Sequence, residues 1–268
     1  MPPDHYQFNL RMNFFSENKS RPSGQSILKI IAGYAFIYAV LEILAALTGD
    51  PLNTVNAAVI SAGVIAAVII AQTVLFKNGF SNMKEYLGIG TPSAVSILIS
   101  IVISILLFLC YPLITYITGY RFRLPDNWLW LGAGVFLLHG IAEEVLYRSY
   151  LFRYLRNGRS FNRAVWISVL LFSTAHIPVI ISQGIFVGGS AVMLAAVSSF
   201  PLSKLYEKGN NTIWAPAIVH TAIDTIIPLI ATDKGDQSYQ TAVVIWMVAS
   251  MIIPYGVFPV KDPGIKKS

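Results

Sequence analysis

A chain of 268 residues that is 55% hydrophobic and only 12% charged, with a mean hydropathy of +0.62, is not composed like a soluble domain, in which about a quarter of residues carry charge. Its formal charge of +6 raises nucleic acid as a partner, but the basic residues are spread over loops between apolar runs, which fits membrane topology and not a binding patch. The single cysteine, Cys110, lies in an apolar run, which excludes a disulfide framework and a thiolate metal cluster.

Residues 1–26 are polar, with Pro2, Pro3, Lys19, Arg21 and Pro22, and lack a short apolar core followed by a small-residue cleavage site. They read as a cytoplasmic arm, either a disordered tail or a surface-binding patch around Phe8, Leu10, Met12, Phe14 and Phe15. A spanning helix needs about 20 apolar residues. Eight segments of an all-α, polytopic bundle qualify: Ile27–Thr48, Thr54–Phe76, Ser93–Ile117, Trp128–Phe152, Arg163–Ser182, Ile185–Tyr206, Thr212–Ala231 and Gln240–Pro259. They form a membrane domain over 27–259, with a cytoplasmic tail over 260–268 and no evident internal repeat.

The loop charges support that count. Alternate loops place Arg11, Lys19, Arg21, Lys29, Lys77, Lys84, Arg153, Arg156, Arg159, Arg163, Lys204, Lys208, Lys261, Lys266 and Lys267 on one side, and only Arg121, Arg123 and Lys234 on the other. By the positive-inside rule both termini are expected in the cytoplasm of a multi-pass cell-membrane protein.

Against this apolar background, Glu143-Glu144-Val145-Leu146-Tyr147-Arg148 stands out. A charge near the bilayer centre costs about 2.5–3.5 kcal/mol on insertion scales, so such groups are expected to face a protein interior or a water-filled cavity. Two further polar clusters sit inside expected spans, Phe172-Ser-Thr-Ala-His176 and His220-Thr-Ala-Ile-Asp224. At 1.5 Å per residue, Glu143 and His176 lie about 15 and about 20 Å from the cytoplasmic ends of their spans, and His220 and Asp224 about 12 and about 18 Å from theirs. All four fall near the middle of a core roughly 30 Å thick, which predicts one shared cavity. Pro178 and Pro228 follow these clusters and remove amide donors there.

Spacing adds an assignment. His139, Glu143 and Tyr147 are four apart and share a helical face, while Glu144 and Arg148 form an i,i+4 ion pair of favourable order. That leaves Glu143 free for chemistry, with His220 and Asp224 as a second i,i+4 pair. A carboxylate, two imidazoles and a further acid can activate water and stabilise an oxyanion. The chain has no HExxH helix and no Gly-x-Ser-x-Gly elbow, which argues against zincin and serine chemistry. Two histidines and a glutamate could still bind zinc, so metal stays open at this point.

In this order, Glu143-Glu144-x-x-x-Arg148, Phe172-x-x-x-His176 and His220-x-x-x-Asp224 resemble the CAAX protease and bacteriocin-processing (CPBP, or Abi) family of intramembrane glutamic endopeptidases. The resemblance covers a core of about 128–231. It implies a hydrolase without a metal or other cofactor, acting on a membrane-embedded, prenylated or otherwise lipid-modified peptide or protein, or on a bacteriocin precursor. It makes the bacterial cytoplasmic membrane the expected location. It implies Glu143 as the base for water, His176 as its support, His220 and Asp224 as oxyanion stabilisers, and Glu144, Arg148 and Phe172 as supporting residues, to which the helical spacing adds His139. The prenyl-protease branch resembles this chain except for an asparagine at the position of Asp224, so Asp224 either donates as a neutral acid or orients His220 as an anion. The rivals are a noncatalytic scaffold or immunity protein of the same fold and a transporter with a buried charge relay.

Overall fold

The computed structural model describes residues 24–225 and 237–260, without the side chains of 24–26, 178, 182, 183, 186, 187 and 237. Helices α1 (Gly24–Thr48) and α2 (Thr54–Val74) form an antiparallel pair. Asn53 closes their turn by accepting from the Val55 and Asn56 amides, and Asn56 Nδ2 donates to the carbonyls of Thr48 and Asp50 at 3.0 and 2.9 Å. After the one-turn helix α3 (Met83–Tyr86) come α4 (Ala94–Thr118), α5 (Trp128–Arg156), α6 (Phe161–Thr174), α7 (Ile177–Lys208), α8 (Trp214–Asp224) and α9 (Gln237–Ile252). No strand occurs among the described residues.

The distribution of polarity is that of a lipid-soluble bundle. On α4, Leu98, Ile101, Val102, Ile105, Leu106 and Leu109 point outward, whereas Ser96, Ser100 and Ser104 are buried. Small residues let backbones approach where lipid, not water, surrounds the helices. The Ser104 hydroxyl accordingly reaches the Ile218 carbonyl of α8 at 3.5 Å.

Six helical segments are long and apolar enough to cross a membrane: Ile27–Thr48, Thr54–Val74, Ala94–Thr118, Trp128–Arg156, Phe161–Ile181 and Ser238–Val257. Two of the eight expected spans are not among them. Ile185–Tyr206 lies inside α7, which is interrupted by a kink at Gly184 (φ 84°, ψ 169°) and whose Ser190, Ser198, Ser199, Pro201, Ser203 and Lys204 dilute its apolar character. Thr212–Ala231 is described as the 11-residue α8, and its last residues, with Pro228, lie outside the described residues, as do the N-terminal arm and most of the C-terminal tail.

The loops expected to share a side meet on one face. Arg156 Nε bonds Glu207 Oε1 at 2.6 Å, Lys208 Nζ donates to the Val260 carbonyl at 2.6 Å, and Arg153 Nη2 bonds Glu85 at 2.6 Å. The Ile213 amide donates to the Gly88 carbonyl at 2.9 Å. At the opposite end, the Thr54 hydroxyl donates to the Trp130 carbonyl at 2.7 Å.

Helix α5 is the centre of the molecule and is not a plain α-helix. Trp128–Val135 and Arg153–Arg156 are α-helical, but Phe136–Glu143 and Val145–Phe152 are π-helical, with i→i+5 bonding that widens each turn. This middle section packs between α2 and α8. One apolar cluster, including Tyr34, Val64, Leu146, Tyr150, Val169 and Phe172, lies on one side of it, and a second, including Leu107, Leu202, Val219 and Trp246, on the other. The polar residues of α5 are held between them.

Candidate active site

Closeness of α5 to α8 comes from Gly140. A Cβ there would sit 2.7 Å from Thr221 Oγ1 and 3.2 Å from the Ala217 carbonyl, so only a hydrogen fits. The glycine therefore brings His139 and Glu143 directly opposite His220 and Asp224. The far end of α8 is held by Trp246 of α9, whose indole donates to the Ile223 carbonyl at 3.2 Å.

Four side chains converge across this contact. His139 Nδ1 lies 2.7 Å from Glu143 Oε1 and 3.4 Å from Asp224 Oδ2. His220 Nε2 lies 3.2 Å from Asp224 Oδ2 and 3.9 Å from Glu143 Oε2. Glu143, Asp224 and His139 keep 14%, 16% and 21% of their side-chain surface open. The group is thus lined by protein yet partly open.

Beneath it lies a closed layer. Glu144 is fully buried and its Oε1 accepts from His220 Nδ1 at 2.6 Å while lying 3.0 Å from Arg148 Nη1. The Arg148 guanidinium, 2% exposed, rests over the Phe172 ring with its carbon 5.2 Å from the centroid. Phe172 in turn meets His176 edge-on at 4.9 Å and Tyr147 at 4.2 Å. The i,i+4 pair expected from sequence is therefore present, but Glu144 does more than balance Arg148. By bonding Nδ1 it fixes the His220 ring and directs Nε2 toward Asp224 and Glu143.

His176 interacts electrostatically with Glu143 and Asp224, but its hydrogen bond goes elsewhere. It lies between two helices, since α6 ends at Thr174 and α7 starts at Ile177 with Pro178 in its first turn. Pro178, which removes an amide donor, thus sits beside a full break, because proline suits a helix start and not an interior. The ring's Nδ1 is 3.0 Å from the Phe172 carbonyl, four residues back. Among the described residues, the imidazole hydrogen-bonded to Glu143 is that of His139, which spacing alone placed among the supporting residues.

As a donor set, His139, Glu143 and His220 have ligand atoms within 4.8 Å of one another and could hold a divalent cation. The carboxylate behind His220 is the partner that metal-bound imidazoles also use, so the residue types do not by themselves exclude a metal.

Sequence reading overlooked one residue of the same kind. Glu42 is a carboxylate inside the apolar span Ile27–Thr48, and the criterion that singled out Glu143 applies to it equally.

Residues 125–226, less than half of the chain, match the family described as type II CAAX prenyl endopeptidase Rce1-like. The resemblance read from the three motifs is borne out by that match, which spans all of them. No curated protein and no solved structure matches the chain.

Proposed function

We propose that this protein is an intramembrane endopeptidase in which Glu143 activates water to hydrolyse a peptide bond of a membrane-associated or lipid-modified peptide. The observation that carries the reading is the partly open cluster of Glu143, His139, His220 and Asp224 between apolar layers of a multi-pass bundle. The match to CAAX-type endopeptidases supports it for residues 125–226.

The chemistry follows from the partners. Glu143 accepts a proton from water as the oxygen adds to the scissile carbonyl, giving a tetrahedral intermediate. His139, donating from Nδ1 to Glu143 at 2.7 Å, fixes that carboxylate, which passes the proton it took from water to the leaving amine. His220, anchored through Nδ1 by Glu144, has a single Nε2–H that faces Asp224 at rest and is shared with the oxyanion as it develops beside that carboxylate. Asp224 lies 3.2 and 3.4 Å from the two imidazoles, which supports its reading as the anion orienting both rings. His176 shapes the break beside the site through its contacts with Phe172. In this scheme no step needs a metal.

The test is cleavage of prenylated and unmodified membrane peptides by purified protein in detergent, comparing wild type with Glu143→Ala. Peptide cleavage that disappears with this single change is the expected result. Cleavage that survives it would remove Glu143 from the mechanism, and no cleavage of any peptide would favour a noncatalytic role.

A further inference from the structure

The only acidic residue of α1 has no part in the scheme above. Glu42 lies within an apolar span, and its side chain is exposed. A carboxylate on a lipid-facing surface is costly, and such residues mark wet surfaces or ligand paths.

Its surroundings say which. Tyr34, Tyr38 and Glu42 are four residues apart and form one stripe on α1. The two tyrosine rings stack at 5.9 Å. Tyr34 donates to the Leu171 carbonyl at 3.0 Å and Tyr38 to the Ala175 carbonyl at 3.4 Å. The stripe thus runs along the end of α6 as far as the break at His176. Because α6 stops at Thr174, the next position of the stripe, Glu42, has passed the last carbonyls of that helix.

The stripe is also in register with the cluster on α5. The Tyr34 ring lies 6.2 Å from Tyr147, one turn from Glu143. Tyr38 lies close enough to both Glu42 and Glu143 to interact with them electrostatically. Glu42 therefore stands about one helical turn, ~5.4 Å, beyond the level of Glu143. Along the helix axis, that offset is about two residues of an extended peptide.

We propose that Glu42 is a specificity-determining residue that receives a basic side chain, lysine or arginine, about two residues from the scissile bond of the substrate. It rests on the endopeptidase reading for the position of the bond, but the recognition itself is a binding event. An anion on an otherwise apolar helix surface pairs with a cation and disfavours a second carboxylate.

The experiment uses fluorescent apolar ten-residue peptides carrying one Lys, norleucine or Glu at each position in turn, with full-length protein in lipid nanodiscs. Binding is measured to wild type, Glu143→Gln, Glu42→Gln and Glu42→Lys, and cleavage is followed in parallel. At one position the Lys peptide should bind about tenfold tighter than its norleucine counterpart, in both wild type and Glu143→Gln. Glu42→Gln should abolish that preference, and Glu42→Lys should transfer it to the Glu peptide. Equal binding of Lys and norleucine peptides, or a preference that survives Glu42→Gln, overturns the inference and shows Glu42 reaching only to lipid headgroups. Intact preference without cleavage would count against the endopeptidase reading and leave the recognition standing.

Discussion

At the scale of single residues, the site divides into an open layer that does chemistry and a closed layer that holds it. Glu143→Gln keeps shape but loses the base, so peptide cleavage should fall at least about 100-fold, the lower range for a positioned general base, with thermal stability unchanged. Asp224→Asn decides between the two roles of that carboxylate. As an anion orienting two imidazoles, Asp224 should not be replaceable, and the rate should drop sharply; a rate near wild type would make it a neutral donor instead. Arg148 belongs to the closed layer. Removing one partner of a buried pair strands the other charge, typically at about 3–5 kcal/mol. Arg148→Ala should therefore lower the melting temperature in detergent well below that of Arg163→Ala, since Arg163 is exposed; equal melting temperatures would contradict the pairing with Glu144. Much of this scale was legible in the sequence, because the i,i+4 spacing of Glu144 with Arg148 and of His220 with Asp224 fixes which groups can meet. The bond between Glu144 and His220 was not, since it joins residues 76 positions apart. Nothing local in the sequence encodes that contact.

At the scale of elements, α5 and its contact with α8 determine whether the site exists. The sequence predicts a helix over this segment but not its π-helical middle. The i→i+5 pattern is imposed by how Phe136–Phe152 fits between α2 and α8, and wide turns of this kind are frequent at functional sites. The break at His176 was half legible: Pro178 signals an interruption, but whether a chain kinks or restarts depends on tertiary packing. Gly140 gives the test. In Gly140→Val the new side chain meets Thr221 Oγ1 and the Ala217 carbonyl, and α8 must move away. The expected outcome is loss of most activity together with a lower melting temperature, by the roughly 1–3 kcal/mol typical of overpacking. Adding Thr221→Ala removes the nearest obstructing atom and should restore part of both. Gly140→Val with full activity would mean that the distance between α5 and α8 is not set by this glycine.

At the scale of the whole molecule, the charge map and the packing give two independent routes to sidedness. The map assigns fifteen basic residues to one side from loop alternation alone. Packing brings residues from those same loops together: Glu85 with Arg153, Arg156 with Glu207, and Lys208 with Val260. Helix α7 connects this face to Gly184. From Ile185 to Lys208 it covers 24 residues, about 36 Å at the α-helical rise, enough to cross the core even though its serines lower its hydropathy. Dropping α7 and α8 as spans would carry Lys204 and Lys208 to the face of Arg121 and Arg123, and the bond between Arg156 and Glu207 could not form. Cysteine labelling distinguishes these arrangements. In a Cys110→Ala background, Lys84→Cys and Asn210→Cys, both at exposed positions, should react with a membrane-impermeant maleimide only in inside-out vesicles. Leu124→Cys, whose position is 62% exposed at the opposite end, should react only in right-side-out ones. Labelling of Asn210→Cys together with Leu124→Cys would show that the chain returns after Gly184 without crossing, and would place the start of α8, and with it His220, at a depth incompatible with the contact to Glu144.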